Sequence, residues 1–260
     1  MTDTPLDTAH AAMEAAPEDD AARLRFYERL VDAELVLLLA EDADGERVTP
    51  QVFALEEGEV VLAFDRDDRL TAFTEEISPY AGLSGRALVG MLAGQGLGLG
   101  VNLGVAPSSI LIPAEAVDWL AGTLGSAPDQ IEARPVEMTA PGGLPESLIT
   151  ALDAKLPTAE GLARYAFLAG VTYEGGAKGH MLAFIDPVPG AEDSLAQAAS
   201  EALIFSGVEA GQMDVAFFAA SDPIAAKLAK TALRFDLPMP DAQKVQAPPG
   251  SDPSKPPKLR

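Results

Sequence analysis

No cysteine occurs among the 260 residues. Disulfides, thiolate metal sites, a cysteine nucleophile and thiol redox switching are therefore excluded. Histidine occurs twice, as His10 and His180, and tryptophan once, as Trp119. One histidine in an aperiodic lead and one at the opening of a strand cannot build a zinc site unless carboxylates supply most of the ligands. His180 is read as structural, and neither a metal nor a cofactor is expected. Basic residues are scarce too: 18 Lys and Arg stand against 40 Asp and Glu, for a net charge of −22. Such a surface repels nucleic acid and anionic lipid, whose binding depends on cations at phosphate. No nucleic acid and no membrane are expected as partners. The first twenty residues carry neither Lys nor Arg nor an apolar stretch, which argues against a secretory signal and predicts a cytoplasmic protein.

What is present is ample core material, with 48% hydrophobic residues in a chain long enough for two domains. Residues 1–19 are small and acidic and read as a disordered lead. A helix with Leu24, Tyr27, Leu30 and Val31 on one side follows from about Asp20. ELVLLLA (34–40) suits a buried strand, and QVFAL with EVVLAFD suits a hairpin. DRDD (65–68) reads as a solvated turn, and RLTAFT as another short strand. Ser84 caps a helix carrying Leu88 and Met91, SSILI is strand-like, and Pro113 opens a further helix containing Trp119. Pro and Gly then cluster from Gly125 to Pro145, around an edge strand RPVEMTA, and the pattern restarts. LPESLITALDAKL is helical, RYAFLAGVTYE and HMLAFIDPV are strands, AEDSLAQAASEALIF is helical and MDVAFFAA is a strand. A last helix, opened by Asp222 and Pro223, carries Ile224, Leu228, Thr231 and Phe235 in register. Six prolines and a local charge of +2 set residues 239–260 apart as a disordered tail. The fold class is α+β (mixed α/β), with two tandem domains, 20–125 and 126–238, each a small mainly antiparallel or mixed sheet with packed helices.

GMLAGQGLGLGVNLG (90–104) lies inside an uncharged run from Ala87 to Ala114. Its spacing is G-x-G-x-G-x-G rather than the dinucleotide G-x-G-x-x-G, and a helix precedes it where a strand is required. No Lys-Ser or Lys-Thr closes a Walker loop. As a membrane helix its glycines would each cost up to ~1 kcal/mol relative to alanine. Alternation suits a strand, with Leu97, Leu99 and Val101 on one face and Gly96, Gly98 and Gly100 on the other. A glycine face admits close packing, or the approach of a ligand or partner to bare backbone. Gly96, Gly98, Gly100, Asn102 and Trp119 are the candidate interaction or ligand-approach surface. EDADGE lacks the first and last carboxylates of a calcium loop, and GLSGR around Ser84 is not a nucleophile elbow. No catalytic residue is assigned.

The succession FYERLVDAELVLLL, VFALEEGEVVLAF, RLTAF, GRALVGML and GLGVNLG…SILIPAEAVDWL resembles the N-terminal domain of the SseB (enhanced serine sensitivity) family. The family's glycine-led strand ends in an asparagine turn, as GLGVNLG does here, although Leu103 stands where proline is frequent. PVEMTAPGGLPESLITALDAKL, YAFLAGVTYE, HMLAFID and MDVAFF resemble that family's C-terminal domain. The resemblance implies a cytoplasmic two-domain protein linked to serine tolerance and transfers no catalytic residues. Two functions remain open: a non-catalytic regulatory or adaptor protein with a protein partner, a homo-oligomer included, and a small-molecule sensor for an amino acid.

Overall fold

A computed structural model describes residues 3–43, 45, 48–56, 58–125, 135–208 and 213–238. The 239–260 tail and residues 126–134 of the Pro- and Gly-rich stretch lie outside the described residues. Within the lead that the sequence reads as disordered, residues 5–15 are helical. Thr4 opens helix α1 (Pro5–Ala15) with a reciprocal capping box: its hydroxyl accepts from the Asp7 N–H, the Asp7 carboxylate accepts from the Thr4 N–H, and Pro5 occupies the first turn. Leu6, Asp7 and His10 of α1 are buried. Helix α2 (Asp20–Asp32) follows, capped by Asp19.

Strands β1 (Glu34–Leu38), β2 (Val52–Leu55) and β3 (Gly58–Phe64) come next. The expected strand RLTAFT is instead helix α3 (Asp67–Thr74). Asp67 and Asp68 sit in its first turn, where acids favour a helix, and Leu70 and Phe73, three apart, share one apolar cluster. Strand β4 (Tyr80–Ser84), helix α4 (Gly85–Leu92), β5 (Leu97–Val101), β6 (Ile110–Ile112) and α5 (Ala114–Gly125) complete the first half. Its sheet has the order β4-β1-β3-β5-β6, with β2 also on β3, and only β3 and β5 run parallel. One face packs Phe26, Leu30, Leu88 and Leu120 against Leu37, Val61, Leu99 and Val101. The other packs Val60, Leu62 and Phe64 against Leu70 of α3. Coverage of both faces explains why β1 and β3 read as continuous apolar runs.

The second half contains β7 (Pro135–Thr139), α6 (Glu146–Lys155), a 3₁₀ turn (Leu156–Ala159), β8 (Tyr165–Tyr173), β9 (Lys178–Ile185), α7 (Glu192–Phe205), β10 (Met213–Phe218), α8 (Pro223–Thr231) and β11 (Leu233–Asp236). Phe235 leaves the expected last helix and pairs with Ala166 through β11. The sheet order is β10-β9-β8-β11, with β7 also on β8. Helices α6 and α7 cover one face and α8 the other. The class is therefore α+β with two mixed sheets, each in its own half. Phe205, at the end of α7, is buried in the first half's core. Among the described residues no helix is long and apolar enough to cross a membrane.

Candidate functional site

Strand β5 brings the glycine face against β3 and β6. A Cβ built on Gly98 would stand 2.8 Å from the Ile112 carbonyl oxygen and 3.1 Å from Val60 Cγ1. At Gly100 it would meet Leu62 Cδ2 at 2.6 Å and Leu103 Cδ1 at 2.7 Å. Both glycines are buried, and close packing is what their missing side chains permit. Gly96 lies in the exposed turn before β5 with φ +70°. It lines, with Leu55, Gly58, Glu59 and Pro113, a shallow hollow of about 130 Å³ beside Gly98.

Asn102 directly follows β5 in the left-handed region, φ 51°, and is fully buried. Its Oδ1 accepts from the Asp65 N–H (3.1 Å), which fixes the amide's orientation, and its Nδ2 donates to Ser108 Oγ (2.8 Å). It joins the C-terminal ends of the parallel strands β3 and β5 to a polar cluster that local sequence signals do not reveal. Arg69 of α3 is 1% exposed and holds the Asp7 carboxylate through both terminal nitrogens. Its Nη1 also donates to Asp65 Oδ1 (2.8 Å). The Ser108 hydroxyl and N–H both donate to Asp7 Oδ1, and the Thr4 hydroxyl donates to Asp65 Oδ2 (2.6 Å). Burial alone would push the Asp7 carboxyl up, but hydrogen bonds from Arg69, Ser108 and Thr4 outweigh it and hold it well below the carboxylate range. DRDD is thus only partly a solvated turn: Asp67 and Asp68 face water, while the Asp65 side chain is 5% exposed in an ion pair.

A second ionic cluster joins the halves. Lys155 of α6 contacts Asp32 of α2 at 2.7 Å and Glu201 of α7 at 2.9 Å, and Arg86 of α4 forks onto both Glu201 oxygens at 2.6 and 2.8 Å. Lys155 and Glu201 are almost fully buried. Burial raises the Glu201 pKa, yet its bonds to Arg86 and Lys155 dominate and bring it down to about 2. Glu28 lies in the same environment with one buried carboxylate oxygen lacking a hydrogen-bond partner among the described residues. Burial raises its pKa, partly offset by Lys155 and Arg29. Gln197 donates to the Leu124 carbonyl at the end of α5, adding a neutral tie.

Trp119 projects from α5, 44% exposed, with its ring 5.9 Å from that of Tyr27 on α2. Phe26 and His10 continue the aromatic contacts inward. His180 lies on β9, opposite Gly170 of β8, with its Nε2 3.0 Å from the Gly142 carbonyl oxygen. Of the five sequence candidates, Gly98, Gly100 and Asn102 are interior and Gly96 and Trp119 are open. Among the described residues no group of three or more His, Asp or Glu side chains is placed to hold a metal ion. Residues 9–119 match the family model of the SseB protein N-terminal domain. No curated protein and no solved structure matches the chain.

Proposed function

With residues 9–119 carrying an SseB N-terminal domain, we propose that this protein is a non-catalytic regulator acting through protein contacts and linked to serine tolerance. The likeness of the second half to the family's C-terminal domain extends the same reading over 126–238. The observation that carries it is the Trp119–Tyr27 pair between α5 and α2, two helices of the first half that contact α7. Tryptophan and tyrosine are enriched where partners dock because they bury large area at low entropic cost. The Lys155–Glu201–Arg86–Asp32 cluster ties α2 and α4 to α6 and α7, so a partner meets both halves in a fixed relation. A charge of −22 favours a protein partner over nucleic acid or lipid. Affinity capture from the native host with wild-type and Trp119→Glu proteins in parallel tests the reading. A partner retained by the first and lost by the second supports it; identical captured sets contradict it.

A second reading, a small-molecule sensor, is favoured by one observation: the buried Arg69 guanidinium, whose fork already holds a carboxylate.

A further inference from the structure

The polar cluster under α1 has the composition of a binding site occupied by the chain's own side chain. Asp7 reaches it from α1, 62 residues before Arg69 and 101 before Ser108. Without Asp7, the site presents two Arg69 N–H donors and both the N–H and O–H of Ser108, all converging where one carboxylate now sits. It also presents one acceptor, Asp65 Oδ2, which now takes the Thr4 hydroxyl. Arg69 Nε is buried without a partner among the described residues, so the guanidinium is held by less than its full donor set. The cluster stands at the C-terminal ends of the parallel strands β3 and β5, where ligands of α/β sheets commonly bind. The family match starts at residue 9, so it contains Arg69, Asn102 and Ser108 but neither Thr4 nor Asp7.

We propose that Arg69 and Ser108, positioned by Asn102, form a binding site for a small carboxylate carrying an amino or hydroxyl group on the adjacent carbon, and that α1 is a displaceable plug whose Asp7 and Thr4 imitate that ligand. The carboxylate takes the place of the Asp7 carboxylate on the Arg69 fork and Ser108. The neighbouring ammonium or hydroxyl takes the place of the Thr4 hydroxyl at Asp65 Oδ2. Asp65 disfavours a dianion such as phosphate, because it places a second negative charge beside the fork. Ligand binding and α1 release are then one equilibrium, and weakening the plug raises apparent affinity by enlarging the open fraction. This inference rests on the sensor reading and adds the site, the ligand class and the coupling.

The test uses the full chain with L-alanine, lactate and propionate as probes. Calorimetric titration compares wild type with Asp7→Asn, and hydrogen exchange follows the α1 amides of the wild type. Alanine or lactate should bind Asp7→Asn about tenfold or more tightly than wild type. Ser108→Ala in that background should weaken binding about tenfold, and saturating ligand should speed exchange across α1. Alanine alone would identify an amino acid, lactate alone a hydroxy acid. Propionate binding as well as both would refute the role of Asp65 and with it the ligand class. Equal affinity for wild type and Asp7→Asn, or α1 protection unchanged at saturation, would overturn the plug while leaving a sensor site elsewhere. Absence of binding in both proteins would overturn the site and the sensor reading together. If Asp7→Asn does not fold, the exchange measurement on wild type decides alone.

Discussion

Valine at position 98 puts the packing account of the glycine strand at risk. The first carbon of any side chain there meets the Ile112 carbonyl oxygen at 2.8 Å, Val60 Cγ1 at 3.1 Å and the Ala114 nitrogen at 3.7 Å. Two of the three are main-chain atoms, at the end of β6 and the start of α5, and cannot rotate away. Overpacking costs about 1–3 kcal/mol where neighbours can adjust, so Gly98→Val belongs at ~3 kcal/mol or above and Gly98→Ala at ~2 kcal/mol. Gly100→Ala should cost less, about 1 kcal/mol, although its contacts are nearer on paper: Leu62 Cδ2 and Leu103 Cδ1 are ends of flexible side chains. Gly85→Ala should cost most, because its Cβ would fall 1.9 Å from the Leu30 carbonyl oxygen where α4 crosses α2. Urea and thermal unfolding of the four variants would read this order. At roughly 2–4 °C per kcal/mol, Gly98→Val should lose on the order of 6–12 °C. A Gly98→Val protein melting with the parent, or Gly100→Ala melting below Gly98→Ala, would refute the claim that β5 is packed against fixed backbone.

Lys155→Met leaves the buried Glu201 carboxylate with Arg86 as its one cationic partner, beside the neutral Gln197 amide, and should cost about 3 kcal/mol, measured by urea unfolding, with faster proteolysis between the halves. On acidification, Glu201, held at about 2 against an ordinary 4.5, contributes stability that is present above pH 4.5 and lost as pH falls towards 2; Glu201→Gln should flatten that limb of a Tm-against-pH curve. Glu28 has the opposite sign, since its raised pKa favours the neutral form: its contribution is present below its ordinary value and lost as pH rises through the raised one. Glu28→Gln should therefore raise Tm more at pH 8 than at pH 4, against the charges of Lys155, Arg29, Asp32 and Glu201 that face it. Asn102→Asp keeps an acceptor for the Asp65 N–H but turns a carboxylate towards Ser108 Oγ, whose hydrogen is already given to Asp7; it should lose about 2 kcal/mol or more by unfolding.

Much of the fold was legible because burial and period agree. The apolar runs of β1 and β3 and the four-residue spacing of Leu195, Ala199 and Leu203 in α7 each report one physical face. The alternation of Gly98 and Gly100 with Leu99 and Val101 likewise separated a packed face from a core face. Helix α1 has too few large apolar residues for a helical period to stand out in its alanine- and acid-rich sequence, although Thr4-Pro5-Leu6-Asp7 spells a capping box. RLTAFT alternates only as far as Ala72; the acids before it and the three-residue spacing of Leu70 and Phe73, which both pack against the sheet, make it helical. Phe235 continues the 3.6-residue period of α8, yet pairing with β8 takes it into β11. Apart from the four-residue spacing of Asp65 and Arg69, the ionic clusters left no trace in local sequence. Arg69 meets Asp7 across 62 residues and Arg86 meets Glu201 across 115, and in a chain with 40 acidic residues nothing marks which are buried. Trp119 was visible as a lone tryptophan, but its partner Tyr27 needed the fold.

The central claim, that this protein works through contacts rather than chemistry, is tested most directly by turnover. Purified full-length protein, with magnesium, manganese and zinc supplied in turn, is screened against esterase, phosphatase, glycosidase and nucleotide substrates. The account predicts no turnover above buffer with any metal. Turnover that disappears in Asp65→Asn or His180→Ala, while circular dichroism and melting show an intact fold, would contradict it.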